Sequence, residues 1–347
     1  MLKAPIKLLA AALILLPSLC SAFTLIWPTP NPAFFKGESL DAYIQPTSTG
    51  GDPLSGTFGG VRNNGYKFHE GLDMKAIQAR TRKGEPTDPI YAAIDGVVAH
   101  VTSAPGKSSY GRYIVILHDT GSVKFYTLYA HLSAIDPAIT TGVSVTAGTV
   151  IGTMGRSAGG YTIPRDRAHM HFEIGLKYGN DFQPWYDRQQ FGSPNYQGNF
   201  NGMNLEGFDP LAFFQAYKAG KVTDVCAYIK ALPAAYKLRV NVGEVPLIAK
   251  ENPGLLSKPL PTSGLAGWDI TFTWYGLPIL LTPLTSADLT AGDAPGVVRL
   301  RAIDRNLLTD NHSRDTVRMK NGKPVVYSGA FDILDLIFDR QLQRGKH

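Results

Sequence analysis

The seven residues Ala168-His169-Met170-His171-Phe172-Glu173-Ile174 constrain the fold more than any other stretch. Their period is two, the mark of a strand with one face on a core. Met170, Phe172 and Ile174 share an apolar face, while His169, His171 and Glu173 share the other. At a rise of ~3.3 Å per residue the two imidazoles stand about 7 Å apart. That is too far for a shared hydrogen bond. It suits one imidazole on a metal and the other on a substrate held by that metal. Taken alone, the pattern equally describes a strand whose solvent face happens to carry two histidines.

A second stretch, Phe68-His69-Glu70-Gly71-Leu72-Asp73-Met74-Lys75, separates these readings. His69 and Asp73 stand four apart and share a face on a helix or on a strand. Gly71 between them favours an extended or bulged segment over a helix. A His and an Asp on one face, joined by a His from the distant strand, make a three-donor site of nitrogen and oxygen. Zinc suits that set, with water in the fourth tetrahedral position. Structural zinc sites are instead closed, usually with Cys.

Residues 1–22 read as a secretory signal peptide: Lys3 and Lys7, the apolar run Leu8–Leu19, then the small-residue site Cys20-Ser21-Ala22. The run is too short to span a bilayer well, and no later stretch is long enough for a membrane helix. Leu19 before Cys20 argues against a lipoprotein signal. Cleavage takes the net charge from +6 to +4, because only Lys3 and Lys7 go. A mildly basic exported chain is drawn to anionic surfaces, though no Lys/Arg cluster stands out and no nucleic-acid partner is expected. Cleavage also leaves Cys226 alone, so the mature chain has no internal disulfide and any zinc site must use His and carboxylates. Cys226 itself reads as a small buried apolar residue.

Residues 23–57, rich in Pro, Gly, Ser and Thr, read as an irregular arm with little helix. Arg80–Asp88 is a charged loop. Short strands with turn residues between them come next: 90–94, 97–102, 113–118, 123–131, 143–145, 150–152 and 168–176. This spacing predicts an antiparallel sheet or sandwich. His131 ends one strand and by itself reads as a surface or satisfied histidine, as do His100 and His118. Residues 180–207 read as an ordered loop over one end of the sheet, a packing loop with a substrate-side cover as the alternative. Helices are expected over 211–218 and 222–232. Beyond these come strand runs such as 237–242, 270–274, 297–303 and 316–319, a hairpin at Asn321-Gly322 and a helix over 331–341. His312 is expected to be solvated. Residues 221–347 read as a smaller α+β domain with no chemical motif.

Together, His69-x-x-x-Asp73, Tyr129-Ala130-His131-Leu132 and His169-Met170-His171-Phe172-Glu173 resemble the LytM/lysostaphin-type zinc metalloendopeptidases in order and context. The segments Ile90–Val98, Gly111–Ile116 and Val150–Gly155 are similar to that family too, so the resemblance covers roughly residues 58–178. It implies an all-β antiparallel catalytic fold, LytM-like, over 58–220 with a helical tail, and a site in a groove on one sheet. It implies His69, Asp73 and His171 as ligands of one zinc ion and His131 and His169 as catalytic residues. It also implies peptidoglycan stem or cross-bridge peptides as substrate. With the signal peptide, the expectation is a periplasmic or extracellular enzyme, acting as a monomer. The loop Tyr161–Ala168, with Arg165, Asp166 and Arg167, is longer and more charged than the family's usual Gly/Pro turn, which bears on substrate choice. Glu173 reads as an exposed strand residue, with partnership to His171 as the alternative. Two other functions stay open: a catalytically inactive activator of a wall amidase, and a zinc endopeptidase acting on ordinary proteins. Inactive relatives usually lack a ligand, whereas all five residues are present here.

Overall fold

The computed structural model describes residues 23–77, 85–309 and 311–343; the expected signal peptide and residues 80–84 of the charged loop lie outside these. Among the described residues no helix is long and apolar enough to cross a membrane. After the arm, whose one α-helix is α1 (Ala33–Lys36), the chain is dominated by short strands. They are β1 (Gly59–Arg62), β2 (Lys67–His69), β3 (Leu72–Lys75), β4 (Pro89–Tyr91), β5 (Gly96–Thr102), β6 (Tyr113–Asp119), β7 (Lys124–Ala130), β8 (Ala134–Ile135), β9 (Ser144–Val145), β10 (Val150–Thr153), β11 (His169–Lys177) and β12 (Leu205–Gly207).

The long sheet runs β12-β11-β7-β6-β5-β9, all antiparallel. Its hub is β11. One edge of β11 pairs with β7, placing His171 opposite Ala130. The other edge is shared. β3 takes the first half, with Asp73 opposite His171, and β12 takes the second, with Gly207 opposite Gly175. The apolar face behaves as its period demands: Met170, Phe172 and Ile174 join Leu72, Met74, Ile114, Ile116 and Tyr129 in the main core. The opposite face is no solvent face. Every residue of β11 is buried, because Tyr110, Tyr113, Tyr126 and Leu128 fill a second small cluster on that side of the sheet. A three-stranded sheet β4-β10-β8 adds Ile90 and Ile151 to the main core.

Residues 180–207 depart from the loop expectation. They contain the helix α2 (Phe182–Gln189), which buries Phe182, Trp185 and Tyr186. Pro184 sits in its first turn, where a missing N–H costs nothing. Two further helices, α3 (Pro210–Lys218) and α4 (Val225–Lys230), start on aspartates whose carboxylates accept from the next backbone N–H groups. Then come β13 (Tyr236–Val240), α5 (Leu247–Glu251), β14 (Leu265–Phe272), β15 (Pro278–Thr285), β16 (Val298–Ile303) and α6 (Arg305–Thr309). The hairpin β17 (Val317–Lys320) to β18 (Lys323–Val326) and α7 (Ser328–Ile337) end the described chain. The sheet order β15-β14-β13-β16 puts Pro278 and Pro283 on an edge strand, the place where proline is tolerated.

Two connections bear on the site. The arm ladders onto the outer edge of β3: Gln45 N donates to Asp73 O at 2.8 Å and Lys75 N to Tyr43 O at 2.9 Å. The C-terminal elements touch the β11 region directly. Arg314 pairs with Glu206, Tyr178 Oη donates to Gly276 O at 3.2 Å, and Phe68 packs on Trp274 and Tyr275.

Candidate metal centre

His69 ends β2 and Asp73 lies in β3, so the break at Glu70-Gly71 turns the chain back along β11. Gly71 is required by close approach. A Cβ there would stand 2.3 Å from Phe172 O and 2.9 Å from His171 Cε1. This contact brings the two motifs together. His69 Nε2 and His171 Nδ1 lie 3.1 Å apart, and Asp73 Oδ1 is 3.1 Å from the first and 3.0 Å from the second. A donor atom of each falls within 4.8 Å of the others, and all three residues are buried.

The donor set fits a cation. A tetrahedral ion with bonds of about 2.0–2.1 Å spaces its ligands about 3.3 Å apart, close to this triangle. The outward nitrogens support the same reading. His69 Nδ1 lies 2.7 Å from Thr57 O, His131 Nδ1 2.8 Å from Ser157 O, and His169 Nδ1 2.7 Å from Arg167 O. A carbonyl only accepts, so each of these nitrogens carries its proton. His171 Nε2 lies 2.9 Å from Glu173 Oε1. Glu173 already accepts from Tyr110 Oη at 2.6 Å and Tyr126 Oη at 2.9 Å, so it acts as a carboxylate acceptor here too. Every neutral imidazole therefore turns a lone pair inward. With His171 neutral as well, three lone-pair atoms would meet at 3.0–3.1 Å, and a cation among them would take the place of the His171 Nδ1 proton.

Glu173 is a correction to the sequence reading. It is 1% exposed, not a solvent residue, and the tyrosines above it explain why. Period-two patterning assigns a face but says nothing of what covers that face. Arg62, Tyr110 and Tyr126 also escaped the sequence reading. Arg62 Nη2 donates to Asp73 Oδ2 at 2.6 Å, and nothing in the spacing of eleven residues signals this pair. His131 and His169 stand beside the triangle, with ring centroids 4.9 Å apart, and His169 Nε2 is 3.5 Å from Asp73 Oδ1. His131 has a left-handed backbone, φ 61°, as it leaves β7. His100 stacks on Phe200 and leans on Tyr113, and His118 is held by Asp95 O and Thr127 Oγ1, both away from the groove.

Charge sharpens the arrangement. Burial would raise the Asp73 carboxyl, but His69, His169 and the hydrogen bond from His171 hold it well below the carboxylate range. Burial pulls His171 down, yet the hydrogen bonds to Asp73 and Glu173 outweigh it and hold the imidazolium up at about 9. Burial pushes His131 well below the ordinary imidazole value, helped by His169 and His171. Burial lowers His169 also, with Asp73 partly offsetting it. The five side chains line a groove of about 480 Å³, with Arg62, Lys67, Tyr161 and Arg167 on its walls and Thr47 supplied by the arm. A neighbouring cleft of about 870 Å³ shares Glu70, Ser109 and Tyr110 with it.

Comparison with known proteins agrees on the region. Residues 67–184 match the family model for Peptidase family M23. Among solved structures, a zinc containing peptidase from Vibrio cholerae is 29% identical over 38% of this chain and 33% of its own, with a TM-score of 0.26. The chain thus spans about a third of that peptidase. The catalytic domain of the antimicrobial peptidase lysostaphin from Staphylococcus simulans is 19% identical over 51% of this chain and 95% of its own, with a TM-score of 0.29. A putative glycyl-glycine endopeptidase, LytM, from Ruminococcus gnavus is 31% identical over 32% of this chain and 41% of its own, with a TM-score of 0.25. No curated protein matches the chain.

Proposed function

From the premise that residues 67–184 belong to the LytM/lysostaphin-type peptidases of family M23, we propose an exported zinc endopeptidase that hydrolyses stem or cross-bridge peptides of bacterial peptidoglycan. The observation that carries the proposal is the triangle of His69 Nε2, Asp73 Oδ1 and His171 Nδ1, three donor atoms of a cation site with edges of 3.0–3.1 Å. His69, Asp73 and His171 would hold the ion. Zinc, when bound, supplies a Lewis acid and an acidified water.

The remaining work belongs to side chains. His131 and His169 are neutral near pH 7, because burial lowers both. Their Nδ1 protons are committed to Ser157 O and Arg167 O, so each Nε2 enters the cycle as a proton acceptor. The one that takes the proton of the attacking water then has a proton to give the leaving amine. A charged imidazole in this pair also stabilises negative charge on the former carbonyl oxygen. Glu173, fixed by two tyrosines, sets the ring plane of His171. Division of the chain at residue 220, into a catalytic region and a C-terminal region that packs on it, is part of the same proposal.

The test is release of peptide fragments from purified sacculi by the purified protein, together with its zinc content. We expect one zinc per chain, and fragments that disappear in a folded His171→Ala variant. Metal-free protein that leaves sacculi intact would favour the inactive amidase activator. Cleavage of casein at a comparable rate, with sacculi untouched, would favour a protease of ordinary proteins.

A further inference from the structure

We propose that Arg62 is a positioning residue that restricts Asp73 to one donor oxygen. This role rests on the zinc reading of the site. The two oxygens of Asp73 are divided between different partners. Oδ1 faces His69 Nε2 at 3.1 Å, His171 Nδ1 at 3.0 Å and His169 Nε2 at 3.5 Å. Oδ2 accepts from Arg62 Nη2 at 2.6 Å. The guanidinium is itself anchored, because Arg62 Nε donates to Ser55 O at 2.9 Å. Its side chain is 19% exposed and walls the groove, so it is not a core residue satisfying a core carboxylate.

A free carboxylate binds a cation through one oxygen or through both. Here the second mode would break a short charge-assisted hydrogen bond, which is stronger than a neutral one. A positive group beside a divalent ion is electrostatically unfavourable, and a neutral donor would satisfy Oδ2 without that cost. The planar fork gives what a neutral donor or a lysine does not: two fixed N–H directions, one on Ser55 and one on Asp73. With Oδ2 engaged, three protein donors leave the fourth position for water or substrate, the requirement of a catalytic site.

The test uses the full chain loaded with cobalt(II) in place of zinc, read by visible absorption, with kcat and KM on sacculus peptides. Wild type is expected to bind one cobalt with the intense bands of four-coordination. Arg62→Met is expected to bind one cobalt with markedly weaker, five-coordinate bands, as Asp73 closes on the ion with both oxygens. Its kcat should fall ~10–100-fold with KM within about twofold. Arg62→Lys should resemble Arg62→Met, since it keeps the charge and loses the fork. Wild-type bands in a folded Arg62→Met or Arg62→Lys would overturn the inference, whatever the stability of the variant. Loss of cobalt from either variant would overturn it as well, because Arg62 would then govern affinity and not the manner of binding. Wild type that binds no cobalt would instead remove the zinc reading itself.

Discussion

At the scale of single residues the candidate metal site is first a proton arrangement. Without a cation, His171 is held up at about 9, so it is charged at neutral pH and its Nδ1 proton occupies the place an ion needs. Binding must expel that proton at any pH below about 9. Affinity should therefore rise with pH, about tenfold per unit between pH 7 and 9, and level off above. Competition with a buffered chelator at several pH values measures this, and a flat profile would contradict it. Gly71 makes an equally local prediction. Gly71→Ala pushes a methyl against Phe172 O and His171 Cε1, so we expect a loss of about 1–3 kcal/mol and weaker cation binding. A variant with unchanged denaturant midpoint and unchanged affinity would remove the close-approach argument. Part of this was legible in sequence. The spacing of His69 and Asp73 and the alternation of His169 and His171 come from local geometry. The pairing of Arg62 with Asp73 and the covering of Glu173 come from contacts made only after folding, and no spacing rule encodes them.

At the scale of elements β11 does two jobs, one on each face. Phe172 is fully buried, packing edge-on against Tyr129 at 5.4 Å and tilted against Phe214 at 5.9 Å, while its neighbours His171 and Glu173 serve the groove. Phe172→Ala should cost about 3–5 kcal/mol in urea unfolding. The same variant should weaken cation binding, although residue 172 points away from the ion. A loss below about 1 kcal/mol would mean that the core there collapses freely. The strands were readable because alternation and Gly turns are local signals. α2 was not, because Pro184 and a run of Asn, Gln and Gly suggest irregular chain. Its three buried aromatics, Phe182, Trp185 and Tyr186, fix it by packing and not by propensity.

At the scale of the whole molecule the family-like region is not insulated from the C-terminal elements. Lys124 N donates to Asn252 Oδ1 at 2.8 Å and Gly254 N to Ser122 O at 2.8 Å, and Glu206 is buried against Arg314. One continuous set of buried apolar side chains runs from Leu25 to Leu342. We therefore expect one cooperative unfolding transition, seen as coincident curves by near- and far-ultraviolet circular dichroism. A chain ending at residue 220 should unfold at lower urea, since Glu206 would lose its cationic partner; an unchanged midpoint would refute this. Sequence reading placed a boundary at 220 because composition and motif content change there.

The ladder between Tyr43–Gln45 and β3 makes the N-terminal arm a clip on the strand that carries Asp73. A nick anywhere from Pro46 to Gly56 would leave the arm held only by this ladder and by the packing of Trp27, Phe34 and Ile44, and its release would bare N–H and C=O groups that neighbouring molecules can zip onto. Loss of the bound ion and self-association should then appear together in a limited-proteolysis time course. One cut in the arm beside the groove would both silence the protein and make it sticky.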